Sequence, residues 1–315
     1  MTSLSDLETG PRMVAVTGKG GVGKTTCSAG VAVQFARTGQ RTLLLSTDRS
    51  PSLSDILEMD VFGEITPVDG VEPLDAVEMD YERLREDWKE TYGEDVYHVF
   101  SSFLGVGREV IDYAAKAPGV VDEFVMSYIL DRFEGDTYDR IVWDTAPAGS
   151  TISLLELQEE FYEHLGTAPK IYADLRSFAR GEVKKRPGEL FAEWRELAAD
   201  CLEMVTGTET AFVVVTIPEG LGVNETERII ADLEDHELEV RQVVANMVLS
   251  DVTEEDCRHH RERADMHAEY MRILEDRYAD EYGLVAVPQL PREVKGLEAI
   301  ETIADTLFDE RDSST

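Results

Sequence analysis

The sequence predicts an α/β fold with a doubly wound, mainly parallel sheet. Three observations support this prediction: short β-rich runs alternate with helical patterns, several of these runs are apolar on consecutive residues, and a glycine-rich turn follows the first run. Strands that helices cover on both faces are apolar throughout rather than on alternate residues. Alternation of strands with helices is typical of parallel sheets, because each helix returns the chain to the same edge.

The predicted strands share short runs of β-branched and other apolar residues between polar or glycine-containing turns. They cover residues 13–17, 42–47, 75–79, 140–143, 211–216, 240–248 and 284–287. The first helix is predicted over residues 25–37, where alanine is frequent, and it ends before Gly39.

Two stretches, residues 81–135 and 151–205, are helical in pattern and too long to be simple crossovers. Apolar stripes mark one helical face in each, at Val121, Phe124, Val125, Tyr128 and Ile129 and at Leu190, Trp194, Leu197 and Cys201. Such stripes are more often core than ligand groove. We therefore predict one domain over residues 13–300 in which these inserts form a helical subdomain, with flexible termini at residues 1–12 and 309–315.

The chain is strongly acidic, with 65 acidic against 30 basic residues and a formal net charge of −35. Only eight of the basic residues are lysine, and the acidic residues are spread along the whole sequence. A hydrated carboxylate surface of this kind suits concentrated salt and indicates a halophilic source such as an archaeon; an ordinary acidic cytosolic protein is the alternative. The charge repels nucleic acid and anionic lipid, so neither is expected as a partner.

The sequence carries no signal for export or membrane insertion. Its first twelve residues lack the basic start and apolar centre of a secretory signal, and the apolar run over residues 211–217 is too short to span a bilayer. Three scattered cysteines do not form a disulfide framework. We expect a cytoplasmic protein without stable membrane insertion.

The glycine-rich turn reads GKGGVGKTT over residues 18–26 and fits a phosphate-binding loop between a strand and a helix. The predicted nucleotide-binding residues are Gly18, Lys19, Gly20, Gly21, Val22, Gly23, Lys24, Thr25 and Thr26. The glycines turn backbone N–H groups toward phosphate oxygens, and the helix N-terminus favours negative charge. Lys24 supplies charge at the β- and γ-phosphates, and the Thr25 hydroxyl reaches Mg²⁺. The loop predicts binding of ATP or GTP.

Lys19 stands too early in the loop to be the standard lysine of this motif. The nine residues resemble the "deviant" phosphate loop of dimeric ATPases, which include cell-division and plasmid-partition proteins, the nitrogenase iron protein and arsenite-pump ATPases. This resemblance implies a homodimer with nucleotide between the subunits, in which Lys19 reaches the phosphates bound by the partner. The alternative is a solvated surface lysine.

Two aspartates end strands near this loop. Asp48 follows the second strand and is well placed to orient a water. Asp144 follows the apolar residues Val142 and Trp143 at the end of a later strand, as expected of a ligand of Mg²⁺ or of its water. Each aspartate alone could be a simple strand-end cap. Their combination with a phosphate loop favours catalytic and metal-binding roles.

The segments after these strands resemble the family of arsenite-pump and tail-anchored-protein-targeting ATPases. The switch I pattern is kept at Ser46, Thr47, Asp48, Ser52, Leu53, Ser54 and Asp55, and it differs at Arg49, Ser50 and Pro51. The switch II pattern is kept at Asp144, Thr145, Ala146, Pro147, Gly149 and Thr151, and it differs at Ala148 and Ser150. The resemblance continues at residues 216–219, 225–228, 244–246 and 288–296 and covers most of residues 13–300.

The resemblance implies a single phosphate-loop ATPase domain and a role for each site residue. Asp48 would activate the water, with Lys19 and Lys24 completing the catalytic set. Thr25 and Asp144 would hold Mg²⁺. Asn246 would bind the adenine edge, which favours ATP over GTP because an amide pairs donor and acceptor with adenine, and Glu219 would close that pocket across the dimer.

A shared zinc site is the least certain feature that the resemblance suggests. The targeting proteins place a Cys-x-x-Cys pair of each subunit on one zinc ion, and the matching segment here is Cys257-Arg-His-His260. Cys257 and His260 of two chains would give a Cys₂His₂ site that zinc accepts. The alternative, which the short spacing favours, is a helix with exposed histidines.

Three functions remain open at this point. The first is a targeting ATPase whose helical subdomain opens and closes around tail-anchored membrane-protein clients, and this is the one that we adopt. Only Met126 and Met204 are methionines within residues 81–205, which is few for an adaptable client groove. The second is the ATPase that energises an arsenite-pump subunit in a membrane. The third is a partition-type regulatory switch with an unrelated partner.

Removal of salt is expected to destabilise the protein if its acidic surface is adapted to concentrated salt. Unscreened carboxylates repel one another more strongly as the Debye length grows. The unfolding temperature should therefore fall steeply between molar and tenth-molar KCl, as followed by circular dichroism. An unfolding temperature independent of KCl would contradict the halophilic interpretation.

Overall fold

The computed structural model describes residues 2–50, 52–104, 106–117, 119–153, 156, 163, 187–250, 252–253 and 257–309. Pro51 of switch I, most of residues 154–186 of the second predicted insert, the side chain of Leu190 and residues 310–315 lie outside this description. The chain divides into two compact units. One consists of Met1–Met79, Gly135–Thr151 and Thr206–Thr315, and the other of Asp80–Glu134 and Ile152–Val205.

The first unit is built on a mostly parallel sheet, which confirms the predicted fold class. Its strands are β1 (Met13–Gly18), β2 (Thr42–Ser46), β3 (Thr66–Pro67), β4 (Leu74–Glu78), β5 (Arg140–Asp144), β6 (Thr210–Thr216), β7 (Val240–Val248) and β8 (Leu284–Pro288). Their order is β3-β4-β2-β5-β1-β6-β7-β8. Only the pair of β3 with β4 is antiparallel within the described residues. The sequence did not predict β3, because two residues cannot show an alternating pattern.

The register of the central strands brings three strand ends to one point of the sheet edge. Asp144 of β5 is level with Val16 of β1 on one side and with Ser46 of β2 on the other. Ser46 is in turn level with Glu78 of β4. In a parallel sheet the carboxyl ends of all strands point the same way, so the residues that follow them share one edge.

Helices cover both faces of this sheet. In the first unit they are α1 (Lys24–Arg37), α2 (Ser52–Leu57), α7 (Gly220–Asp235), α8 (Arg258–Tyr278) and α9 (Leu297–Phe308). The helix α1 packs closely on α9 because Gly30 carries no side chain: an added Cβ would lie 2.9 Å from Cγ2 of Ile303. Phe35 and Phe308 extend this contact with an edge-to-face ring pair at 6.1 Å.

The second unit is helical and has its own small core. Its helices are α3 (Tyr81–Leu104), α4 (Glu109–Ala114), α5 (Val120–Glu134) and α6 (Pro187–Thr206). Tyr92 makes edge-to-face contacts with the rings of Phe124 and Trp194 at 6.2 and 5.9 Å. Val125 and Ile129 of the predicted stripe are buried, which confirms that this stripe is core. Across the described helices of both units, none has the length and apolar character to cross a membrane.

The expected flexibility of residues 1–12 does not fit the structure. Ser5–Glu8 form a 3-10 helix, and Leu4 and Leu7 are fully buried in the core of the first unit. The backbone N–H of Leu4 donates to the Leu307 carbonyl at 2.9 Å. A single helical turn is too short to show periodicity in the sequence, so its two core leucines were not recognised.

Leu7→Ala is expected to lower the free energy of unfolding by about 2–5 kcal/mol, because it empties a fully buried position. Urea unfolding followed by fluorescence measures this change. Leu221→Ala is the matched control, since the Leu221 side chain is 74% exposed and its truncation should have little effect. Equal effects of the two substitutions would show that residues 2–12 are not part of the core.

Candidate nucleotide site

The phosphate loop connects β1 to α1 and leaves an open cradle at its centre. At Gly20 and Gly21 an added Cβ would meet no atom within 4 Å. At Gly23, where φ is +90°, the same atom would overlap the Asn246 amide, so only glycine fits. The loop thus packs tightly at its base and exposes backbone N–H groups at its tip, as anion binding requires.

Lys24 is the buried cation of the loop. Only 6% of the residue is exposed, and its Nζ donates to the carbonyl oxygen of Lys19 at 3.4 Å. Burial lowers the pKa of Lys24, whereas the charges of Asp144 and Asp48 raise it. The ammonium group is therefore held against the backbone of the loop, where it can balance phosphate charge.

Asp144 is the centre of a hydroxyl network. Its Oδ2 accepts hydrogen bonds from the hydroxyls of Thr25 and Ser46, both at 2.9 Å. Its Oδ1 accepts one from Ser28 at 3.2 Å. The carboxylate is completely buried, and this burial raises its pKa to about 6. A divalent cation at this position would compensate for the lost hydration of the ionised form.

The hydroxyl of Ser52, at the start of α2, lies 3.3 Å from that of Thr25. Thr25, Ser52 and Asp144 thus offer oxygen atoms in one place, and Mg²⁺ binds oxygen ligands. Together with Lys24 and the open loop, these residues fit Mg²⁺ and a nucleoside triphosphate. The predicted pair of Thr25 and Asp144 is therefore brought together by the structure.

Asp48 follows β2 at the same edge of the sheet. Its Oδ1 accepts hydrogen bonds from the backbone N–H and the hydroxyl of Ser50, at 3.0 and 2.6 Å. Ser50 is one of the residues at which the sequence departs from the switch I pattern. The substituted residue thus holds Asp48 in place in the described structure.

Lys19 differs from Lys24 in its surroundings. The Lys19 side chain is 43% exposed, and its Nζ forms an ion pair with Oε2 of Glu225 in α7 at 2.6 Å. The contacts of Lys19 are therefore at the surface of the first unit rather than inside the cradle.

Asn246 and Glu219, the two residues predicted to form the adenine pocket, contact different parts of the first unit. The buried Asn246 amide donates to the Val22 carbonyl at 2.9 Å and accepts from the Met247 N–H at 2.9 Å. It therefore ties the phosphate loop to β7, and these two contacts within the described residues use one N–H and one lone pair of the amide. Glu219 forms an ion pair with Arg263 of α8 at 2.8 Å.

Cys257 and His260 are adjacent in space at the start of α8. Sγ of Cys257 lies 3.2 Å from Nδ1 of His260, and both residues are exposed. No group of three or more histidine, cysteine, aspartate or glutamate side chains is set to hold a metal within the described ranges. The predicted zinc site needs this pair from each of two chains, so the described chain holds half of the ligand set and does not by itself show a zinc site.

Comparison with known proteins identifies the family. The profile of the anion-transporting ATPase family, the ArsA ATPases, matches residues 11–309. The chain belongs to this family. It is 31% identical over 308 residues to ATPase GET3 of Chaetomium globosum, covering 94% of this chain and 90% of the relative. It is 30% identical over 308 residues to ATPase get3 of Pyrenophora tritici-repentis, covering 94% of this chain and 91% of the relative.

Membership of the ArsA ATPases confirms the family resemblance and the predicted ATPase activity, and with it the general use of ATP and Mg²⁺. The sequence argument assigned no contact in the site to Ser28, Ser46, Ser52 or Glu225. Ser28 was recognisable in principle, because it lies three residues after Thr25 and so on the same face of α1. Glu225 was not, since only the fold brings α7 beside the loop.

Asp144→Asn is expected to stabilise the metal-free protein at high pH. The pKa of Asp144 is 3.8 when unfolded and about 6 when folded, so the folded protein binds the proton more tightly. The more tightly bound proton contributes fully to the free energy of unfolding below pH 3.8, and this contribution is lost as the pH rises through about 6. Ionising the buried group then costs on the order of 3 kcal/mol, which asparagine avoids.

Urea unfolding with a chelator, at about pH 5 and about pH 8, measures this difference. The advantage of Asp144→Asn over the parent should be larger at the higher pH. Asp139→Asn is the control: Arg41 lowers the pKa of Asp139 to about 2, so its effect should be the same at both values. An Asp144→Asn effect that does not change with pH would contradict the raised pKa.

Proposed function

We propose that this ArsA-family ATPase acts as a homodimer that closes around ATP and opens after hydrolysis. The observation that carries the proposal is the different exposure of the two lysines of the phosphate loop. Lys24 is buried, whereas the Lys19 side chain is 43% exposed and forms an ion pair with Glu225. A second copy of the chain could therefore take Lys19 onto its own nucleotide without disturbing the buried cation.

Each residue of the site has a separate task in this proposal. The loop N–H groups and Lys24 bind the phosphates, and Thr25 and Asp144 hold Mg²⁺. Mg²⁺ held there would supply positive charge beside the phosphates. Asp48, fixed through Oδ1 by Ser50, orients the attacking water through its other oxygen.

Nucleotide selection is assigned to the other end of the site. The second N–H and the second lone pair of the Asn246 amide suit the adenine edge, and Glu219 closes the pocket against the partner subunit. In this proposal the dimer exchanges between an open and a closed state. Contacts with the γ-phosphate favour the closed state and are lost after hydrolysis. Zinc is not part of this proposal, because no larger group of metal-ligating side chains surrounds Cys257 and His260 among the described residues.

The client class follows from the family resemblance. We assign tail-anchored membrane proteins as clients of the helical unit, in preference to service as the ATPase of an arsenite pump. Cys27 and Cys201 are both buried, and burial raises the pKa of Cys27 to about 12. Buried neutral thiols are poor ligands for a metalloid, since the thiolate is the ligand.

The two methionines of the helical inserts, Met126 and Met204, are buried, so neither lines a groove for a client.

Lys19→Ala is expected to abolish ATP-dependent dimerisation and to lower hydrolysis by at least about tenfold, because it removes a charge that acts only in the closed state. Light scattering with Mg²⁺ and a non-hydrolysable ATP analogue measures dimerisation, and phosphate release measures turnover. Lys295→Ala is the matched control: Lys295 is similarly exposed, at 46%, and also has a glutamate partner. If the Lys19→Ala protein dimerises and turns over like the control, Lys19 is only a solvated side chain.

The client assignment is tested with Asp48→Asn, which should bind ATP without hydrolysing it and hold the closed state. Purified Asp48→Asn with ATP is expected to retain a detergent-free peptide carrying a tail-anchor helix, and to release it with ADP. Retention of an arsenite-pump membrane subunit instead would support the pump function. Retention of neither would favour a regulatory switch of the partition type.

A further inference from the structure

Glu78 is a buried carboxylate that the site described above does not use. It is the last residue of β4 and is 1% exposed. Its Oε1 accepts a hydrogen bond from the Leu53 N–H at 2.9 Å, and its Oε2 accepts one from the Ser54 hydroxyl at 2.7 Å. Both donors belong to α2, the short helix that follows Asp48.

The same residue also fixes the other end of this helical segment. The backbone N–H of Glu78 donates to the Val61 carbonyl at 2.8 Å. The Ser54 hydroxyl oxygen accepts from the Val61 N–H at 3.4 Å. One residue of β4 thus holds both the start of α2 and the chain that returns from it.

The helix that Glu78 holds begins at Ser52, whose hydroxyl lies near the proposed Mg²⁺ ligands, and it follows Asp48, to which the attacking water is assigned. Ser52, adjacent to Leu53, places its hydroxyl 3.3 Å from that of Thr25. The Ser52 N–H donates to the Ser50 carbonyl at 2.7 Å, and Ser50 in turn donates to Asp48. Hydrogen bonds therefore link Glu78 to Leu53 and Ser52 to Asp48 through Ser50, and the peptide bond between Ser52 and Leu53 joins the two sets.

A carboxylate is a costly choice for a purely structural position. Burying a carboxyl group requires hydrogen bonds to compensate for its lost hydration. Among the described residues, a backbone N–H and a hydroxyl of two adjacent residues of α2 donate to the two oxygens of Glu78. Two acceptor atoms on one side chain thus hold the start of this short helix in one geometry.

We propose that Glu78 is a positioning residue for ATP hydrolysis, which sets the place of Asp48 and Ser52 by holding the start of α2. This inference rests on the proposed role of Asp48. Glu78 itself touches neither nucleotide nor water. Its effect on the reaction is transmitted through Leu53 and Ser54.

Glu78→Ala is expected to lower kcat by about 10–100-fold, because small misplacements of reacting groups have effects of this size. KM for ATP, and Kd for a non-hydrolysable analogue, should stay within about twofold, since the phosphate loop is unchanged. Glu78→Gln keeps an acceptor oxygen of the same shape and should recover part of kcat. Asp75→Ala is the matched control: Asp75 is a carboxylate of the same strand, bonded to the Tyr138 hydroxyl at 2.9 Å, and its loss should leave kcat unchanged.

Ser54→Ala provides a second test in case Glu78→Ala does not fold. It should lower kcat as Glu78→Ala does. The double variant Ser54→Ala with Glu78→Gln should lose less kcat than the product of the two separate fold-losses, because both substitutions act on one contact. A parental kcat in Ser54→Ala and Glu78→Gln would overturn the inference, whatever their unfolding temperatures.

Asp48→Asn, assayed in parallel, separates this inference from the proposed function. An inactive Asp48→Asn with reduced kcat in the Glu78 and Ser54 variants supports both. An inactive Asp48→Asn with parental kcat in those variants overturns only the role of Glu78. An active Asp48→Asn overturns the role of Asp48, and the positioning role with it.

Discussion

The buried carboxylate of Asp144 is the group on which the nucleotide site depends. Hydroxyls from two elements, Thr25 and Ser28 of α1 and Ser46 of β2, converge on its two oxygens. Their convergence is a consequence of the register of the sheet, in which β2 and β5 end at the same level and β1 continues two residues further into the phosphate loop. Since burial raises the pKa of this carboxyl to about 6, the hydroxyls alone do not replace its hydration. A cation bound beside Asp144 would therefore stabilise the ionised carboxylate and the folded site.

A second constraint is the charge of the whole protein. With a formal net charge of −35, the chain repels the triphosphate that it must bind. Two of its eight lysines lie in the phosphate loop, so positive charge is concentrated where the ligand is anionic. Lys24 acts from inside the loop, and in the proposed dimer Lys19 adds charge from the other subunit. Salt screens long-range repulsion more than it screens contacts within the buried cradle, which makes concentrated salt compatible with binding.

Switch I shows how a departure from a family pattern can be accommodated. The segment differs from the expected sequence at Arg49 and Ser50, yet Ser50 forms two hydrogen bonds with Asp48. At the other end, Glu78 holds Leu53 and Ser54. Asp48 is thus held by a residue of its own segment, and the helix that follows it is held by a neighbouring strand. In the proposed cycle, this segment adopts one geometry with ATP and another after hydrolysis.

The sequence by itself determined the features that depend on local periodicity and on residues close together in the chain. The strands, α1, the phosphate loop and the family patterns belong to this class, because each is encoded within a few consecutive residues. Leu4 and Leu7 were missed, since one turn of helix has no measurable period, and so was the two-residue strand β3.

Only the tertiary structure decided which distant residues meet. The pairs of Lys19 with Glu225, Asn246 with Val22 and Glu78 with Ser54 join segments that are 24 to 224 residues apart. No local pattern encodes such pairs, because they depend on strand order and register rather than on neighbouring residues. The raised pKa of Asp144 has the same origin, since desolvation is a property of the packed sheet edge and not of the aspartate or its neighbours in the chain.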